Sequence, residues 1–321
     1  MWPPMTKLQI SAVITAYNSE TFVAGAISSV LEQTYPVDEI VVVDDGSTDR
    51  TRIVIESFAP QGVRYVFQEN RGPGAARNAG IQATSGEIIA FLDADDIWLK
   101  DKTKRQHAYL SAHPEVALVS GFAWWWDVID DDRFISGEVP KSIAALRQDI
   151  LVHNKIGNPS RVMLRRSALG EVGVFNESIR WGQDWDLWIR VITRYDAAIL
   201  PEPVIEYRWH EQNLSHTSRW ERLYSYWNVS VRAIANQTMW RRPILLLHSW
   251  SLFTHRRAKY LLEQKSSRWR TIVYAVAALC SYPWDGGWGK FRTLIRALVG
   301  NSFYQASKSF IRSRLRVRGS D

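Results

Sequence analysis

The chain has 321 residues, 46% of them hydrophobic and 23% charged, a globular composition long enough for one large core and an appendage. A single cysteine, Cys280, excludes an intrachain disulfide and any metal site built from several thiolates, and is compatible with a reducing cytoplasm. The net charge of +7 hides a split: residues 1–215 carry 21 Lys and Arg against 29 Asp and Glu, whereas residues 216–321 carry 19 against 4.

In chain order, the opening MWPPMTKLQI lacks a basic start followed by an apolar run, so no secretory signal is expected. Residues 8–14 are a short apolar stretch and read as a strand. Residues 21–33 place Phe22, Ala26, Ile27, Val30 and Leu31 at helical spacing. Residues 39–43 form a valine-dense strand and 48–58 a helix. A strand at 63–67, a helix at 73–83, a strand at 87–92 and a helix at 100–112 follow. This alternation predicts an α/β chain with a mostly parallel, Rossmann-like sheet flanked by helices, joined by right-handed crossovers. From 113 to 215 the pattern loosens. It holds an aromatic and acidic stretch at 124–132, strand candidates at 161–165 and 204–209, a helix candidate at 184–195 and a polar loop at 210–218. Residues 216–321 read as an α-helical extension with seven tryptophans and many arginines. Its longest apolar run, 272–280, is far shorter than the roughly 20 residues of a membrane-spanning helix.

Ligands of open parallel sheets bind outside the carboxyl ends of the strands. Just past strand ends this chain carries Thr15-Ala16-Tyr17-Asn18, Asp44-Asp45-Gly46-Ser47 and Asp93-Ala94-Asp95-Asp96, so carboxylates converge on one rim. Asp93 and Asp95, two apart on an extended segment, point the same way. One can take a divalent cation, which wants oxygen ligands, and the other a nucleotide sugar hydroxyl. A carboxylate at the end of the second strand can accept the imide N–H of a pyrimidine base, and Ser47 or Thr48 can cap the next helix. Asn70-Arg71-Gly72-Pro73-Gly74 follows the third strand and opens a helix at Pro73.

These motifs together resemble family 2 of the inverting GT-A glycosyltransferases. The resemblance runs through Val13-Ile14-Thr15-Ala16-Tyr17-Asn18, Val41–Ser47 with Thr48-Asp49, Asn70-Arg71-Gly72 with Ala76-Arg77-Asn78-Ala79-Gly80, and Phe91–Asp96. It continues at Gly182-Gln183-Asp184-Trp185-Asp186-Leu187-Trp188 and along residues 207–215, so it covers roughly 8–215. It implies a GT-A catalytic domain at 1–215, with a nucleotide-binding part at 1–112 and an acceptor half at 113–215, followed by the basic extension 216–321. It implies metal-dependent transfer of a sugar, with a UDP-sugar the expected donor, to a hydroxyl of a saccharide or lipid-linked saccharide in surface polysaccharide or glycolipid assembly. Asp184 is the implied general base. Thr15, Tyr17, Asp45, Arg71, Arg77 and Asp93 are the implied nucleotide contacts, with Arg77 equally suited to pair with acidic residues. Asp95 and His210 are the implied ligands of Mn²⁺ or Mg²⁺. Gln183 stands where the family often has Glu; losing that charge is expected to lower the Asp184 pKa somewhat.

Two rival classes stay open. A nucleotide-sugar pyrophosphorylase shares a similar sheet but opens with a Gly-rich phosphate loop, where this chain has Thr15–Glu20. A non-catalytic sugar-nucleotide or membrane-binding protein predicts lost carboxylates, yet Asp45, Asp93, Asp95 and Asp184 are present. Nothing in the basic extension matches a nucleic-acid recognition module, so no nucleic acid is expected. The extension reads either as helices lying on an anionic membrane surface or as a helical cap with buried aromatics. The expected location is cytoplasmic, peripheral on the inner face of the membrane in the first of these cases.

Overall fold

The computed structural model describes residues 8–127, 132–210, 219–263, 268–281 and 287–299, and the chain divides into two compact units, Met1–Thr217 and Ser218–Asp321. The first unit opens with β1 (Ile10–Ala16), α1 (Val23–Leu31), β2 (Glu39–Asp44), α2 (Thr51–Glu56), β3 (Val63–Phe67), α3 (Pro73–Ala83) and β4 (Ile88–Asp93). Strand β1 pairs in parallel with β2 and β4, and β2 with β3, so the strands run in the order β3-β2-β1-β4. Strands β1 and β4 are apolar almost without interruption because helices cover both faces, the condition under which a parallel strand loses its polar alternation. The alternation survives as a division of the core. Ile40 and Val42 join Ile10, Ile14, Ile27, Val30 and Leu92 on one face, while Val41 and Val43 pack on Ala76 of α3 on the other. Helix α3 lies close on β1: a Cβ at Gly80 would stand 2.2 Å from Val13 Cγ1, so only glycine admits this approach.

The unit continues with β5 (Ile97–Trp98), α4 (Lys102–Ala112), β6 (Val116–Asp127), β7 (Asp132–Ser136), α5 (Ile143–Asp149), β8 (Met163–Arg165), α6 (Arg166–Val172), α7 (Gln183–Arg194) and β9 (Asp196–Trp209). Strand β8 pairs antiparallel with β4 and β6, β9 parallel with β6, and β5 antiparallel with β9. One mostly parallel, mixed nine-stranded sheet results, with β7 hanging from β6. The long strands β6 and β9 are the main departure from the sequence pattern, which singles out only 124–132 and 204–209. Pro201 and Pro203 interrupt the β9 pattern and its register against β6 shifts at Gly121–Ala123, so pairing rather than alternation defines both strands. The expected helix at 48–58 shortens to α2, and the strand expected at 161–165 starts at Met163 after a turn. Residues 211–218 of the expected loop lie outside the described residues.

The second unit contains α8 (Arg219–Ala235), α9 (Arg242–Glu263), α10 (Arg268–Ser281) and α11 (Gly287–Val299). Trp227, Trp250 and Phe253 pack α8 against α9 with ring centroids 5.0–5.6 Å apart. No described helix is long and apolar enough to cross a membrane; α9 has the length, but its Arg and Lys residues, together with its His, Ser and Thr residues, leave it too polar.

Candidate active site

The ends of β1, β2 and β4 build the rim from backbone turns. Asp45 follows β2, and its N–H donates to the Ala16 carbonyl at the end of β1. Gly46 has φ +80°, and a Cβ there would stand 2.7 Å from the Asn70 nitrogen, so the 70–72 loop closes directly over this turn. The Asp45 carboxylate is buried beneath that loop. Its Oδ1 accepts from Gln68 Nε2 at 2.6 Å and from the Arg71 N–H at 3.0 Å, and its Oδ2 accepts from the Gly72 N–H at 2.9 Å. A carboxylate has about four acceptor positions, so one remains for a ligand donor. Tyr17 is 47% exposed and offers an open ring on the same rim. Asp44 accepts from the Ser47 N–H at 2.8 Å and from the Tyr65 hydroxyl at 2.9 Å; burial first, then this carboxylate, pushes the Tyr65 phenol up to about 12.

Ser47 and Thr48 do not cap α2. Ser47 Oγ accepts the Asn18 N–H at 2.9 Å, and the Thr48 N–H donates to Asn18 Oδ1 at 2.8 Å, tying this turn to the loop after β1. The first N–H of α2, that of Thr51, goes instead to Asp49 Oδ1 at 3.0 Å.

The Asp93-Ala94-Asp95 segment also differs from expectation. It is not extended: the Asp96 N–H donates to the Asp93 carbonyl at 3.0 Å, closing a turn. The two carboxylates therefore take separate partners. Asp93 Oδ1 accepts from Arg77 Nη2 at 2.6 Å and from Thr15 Oγ1 at 3.2 Å. Asp95 Oδ2 lies 3.5 Å from His210 Nε2. Asp96 turns inward, accepts from Asn158 Nδ2 at 2.8 Å, and is pushed well above the usual carboxylate range by burial and then by Asp95 and Asp93.

Arg77 sits on α3, is 5% exposed, and lies over the Phe175 ring at 5.6 Å. Its place is that of a counter-ion to Asp93, the second of the two roles the sequence leaves open. Arg71 is mostly exposed, and its guanidinium pairs with Glu177 at 2.6 Å. His210 stacks on Phe22 with centroids 4.3 Å apart, while Arg208 donates to the Asp95 carbonyl at 2.8 Å, so the end of β9 and the start of α1 frame the Asp95 turn.

Among the described residues no three His, Cys, Asp or Glu side chains gather into a metal cage. The Asp95–His210 pair suits a cation shared with a ligand. Two donors about 2.1 Å from one octahedral cation stand about 3 Å apart, close to the separation seen, and the remaining positions suit diphosphate oxygens and water.

Asp184 lies in the first turn of α7, after Gly182 with φ +84°, where the helix dipole favours a carboxylate. Its Oδ2 accepts from Asn154 Nδ2 at 3.2 Å. The Asn154 amide is held by Gly157, whose N–H donates to Oδ1 at 3.1 Å and whose carbonyl accepts from Nδ2 at 3.3 Å. Trp188 Nε1 donates to the same Gly157 carbonyl at 3.1 Å, and Trp185 Nε1 to the Ile150 carbonyl at 2.6 Å, so α7 itself holds this loop. Burial pushes the Asp184 carboxyl up; the nearby Arg77 pulls it down and Asp93 raises it again. The net direction is upward from the ordinary carboxylate value, because desolvation outweighs the pull of Arg77 and the backbone donors. Arg77 thus stands between Asp93 and Asp184 electrostatically and brings rim and helix into one site. Asn154 and Gln68 have no counterpart in the sequence reading, Phe22 enters it only as a helix-face residue and Arg208 only as part of the 207–215 segment; each meets its site partner across 23 to 188 residues of chain.

A model described as "Glycosyl transferase family 2" matches residues 11–173. An uncharacterized glycosyltransferase of Nostoc sp. is 48% identical over 101 residues, which span 30% of this chain and 31% of that relative's length. A putative teichuronic acid biosynthesis glycosyltransferase of Bacillus subtilis, TuaG, is 29% identical over 71% of this chain and 88% of its own. Among solved structures, S. aureus TarS 1–349 in complex with UDP-GlcNAc is similar with a TM-score of 0.63, 17% identity, and 93% and 92% of the two chains covered. A mannosyltransferase from Pyrobaculum calidifontis in complex with GDP-Man and Mn²⁺ is similar with a TM-score of 0.62, 22% identity, and 94% and 89% covered.

Proposed function

The chain belongs to glycosyl transferase family 2 and is a glycosyltransferase, and on that premise we propose that it transfers a sugar from a UDP-sugar to an acceptor hydroxyl with inversion, Asp184 acting as general base. The observation that carries this reading is the single electrostatic neighbourhood of Asp93, Arg77 and Asp184. A carboxylate suited to the donor and a carboxylate suited to proton removal then face one reacting centre.

The residues divide the work by chemistry. Asp45 has one acceptor position left beneath the 70–72 loop for the imide N–H of uracil, with the exposed ring of Tyr17 available to the base. Asp93, steadied by Thr15 and Arg77, takes a ribose hydroxyl. Arg71 can leave its exposed pair with Glu177 for the diphosphate, because such pairs contribute little. Asp95 and His210 would hold Mn²⁺ or Mg²⁺, which supplies positive charge beside the departing diphosphate. The acceptor oxygen attacks the anomeric carbon from the face opposite the nucleotide. As the new C–O bond forms and the bond to the diphosphate breaks, the acceptor proton passes to Asp184. One displacement inverts the anomeric centre and needs no covalent enzyme intermediate. The raised Asp184 pKa suits this task, since a stronger base removes a hydroxyl proton more readily provided it is ionised at the working pH. The acceptor is a saccharide or lipid-linked saccharide, consistent with the teichuronic acid assignment carried by the B. subtilis relative.

The test is Asp184→Asn, nearly isosteric but unable to accept the proton. Turnover should fall about 10²–10⁴-fold while donor affinity changes little. Wild-type turnover in this variant would remove Asp184 from the role of base.

A further inference from the structure

The junction between α8 and α9 carries a run of exposed apolar side chains in the second unit. Trp240 is 86% exposed and Met239 70%, and the first turns of α9 add Ile244 at 59% and Leu247 at 50%. These side chains do not scatter singly among polar ones; they fall within nine consecutive residues, whereas Leu245 in the same turn is buried against the unit's own core. Arg241 and Arg242 stand exposed in the middle of this run, and Arg242 Nε donates to the Gln237 carbonyl at 2.7 Å, which steadies the turn.

We propose that this Met239–Leu247 tip inserts into the headgroup layer of an anionic lipid surface, with Trp240 at headgroup depth and Arg241 and Arg242 on lipid phosphates. The charge of the unit selects this occupant. Residues 216–321 hold 19 Lys and Arg against 4 Asp and Glu, so attraction to an anionic bilayer is not cancelled by carboxylates beside the tip. The side chains match the two depths of such a surface. Trp prefers the headgroup level, aliphatic side chains lie just beneath it, and guanidinium groups suit phosphate oxygens. The proposal goes beyond the catalytic reading and stands independently of it.

Co-flotation of the full chain with phosphatidylcholine vesicles, with and without phosphatidylglycerol, tests this. Binding should require phosphatidylglycerol and weaken with salt. The double variant Arg241→Ala/Arg242→Ala should bind about thirty-fold more weakly, taking about 1 kcal/mol for each basic residue near anionic lipid and tenfold for each 1.4 kcal/mol. Trp240→Ala should weaken binding several-fold. All three side chains are exposed, so solution turnover with a soluble acceptor should be unchanged, which certifies the fold. Equal binding to both vesicle types, binding to neither, or wild-type binding by both variants would overturn the proposal. So would a dimer that disappears on Trp240→Ala, which would assign the tip to a second copy of the chain.

Discussion

Asn154→Ala should move the acid limb of the turnover profile without abolishing turnover. In the structure Asn154 donates to Asp184 Oδ2 at 3.2 Å, and Gly157 holds both ends of its amide, so the donor cannot rotate away. A hydrogen bond to a charged acceptor contributes about 1.5–3 kcal/mol, and a length of 3.2 Å argues for the lower end. Losing it disfavours the ionised form and so raises the Asp184 pKa. The sign follows from the charge: the donor stabilises the ionised carboxylate, which is the form that accepts the acceptor's proton. The other charged groups acting on Asp184, Arg77 from α3 and Asp93 from β4, stay in place. The limb of kcat against pH should therefore shift upward, with kcat recovering toward wild type at higher pH. The assay is release of nucleoside diphosphate at saturating donor across the pH range. A limb that stays put while kcat falls uniformly would reduce Asn154 to a support for its loop. Asp184→Asn, expected to be slowed at every pH without recovery, separates that outcome from an error in the base itself.

Asp184→Asn should also raise thermal stability at pH 8. A carboxyl whose folded pKa lies above its unfolded value binds its proton more tightly in the native state, so ionising it costs stability as pH rises through the folded value. The advantage of the variant should fade as pH falls through the folded value toward about 4, below which both states are protonated; a Tm difference independent of pH would contradict this. Asp95→Ala should weaken binding of Mn²⁺ in the presence of UDP, measured by calorimetry, and should remove Mn²⁺-dependent turnover. Wild-type Mn²⁺ affinity in that variant would move the metal away from the Asp95–His210 pair.

The sequence alone determined the first half of the sheet. A parallel strand buried on both faces must be apolar throughout, and its helices must show helical spacing, so local composition at 8–112 already carries the alternation. The carboxylates that follow β2 and β4 had to emerge at one rim because parallel strands end together. The order of those motifs was enough to place the chain with the family 2 glycosyltransferases. The sequence did not carry β6 and β9, whose register is broken and whose pairing partners lie some eighty residues apart. Nor could it say how each carboxylate is used. A turn closed by the Asp96 N–H sends Asp93 to Arg77 and Asp95 to His210, where strand alternation had pointed both the same way. The upward direction of the Asp184 pKa is likewise a property of packing. Gln183 beside the acid is legible in the chain, but the burial that raises the acid, the Arg77 and Asp93 charges from α3 and β4, and the Asn154 amide meet at the first turn of α7 only in the tertiary fold.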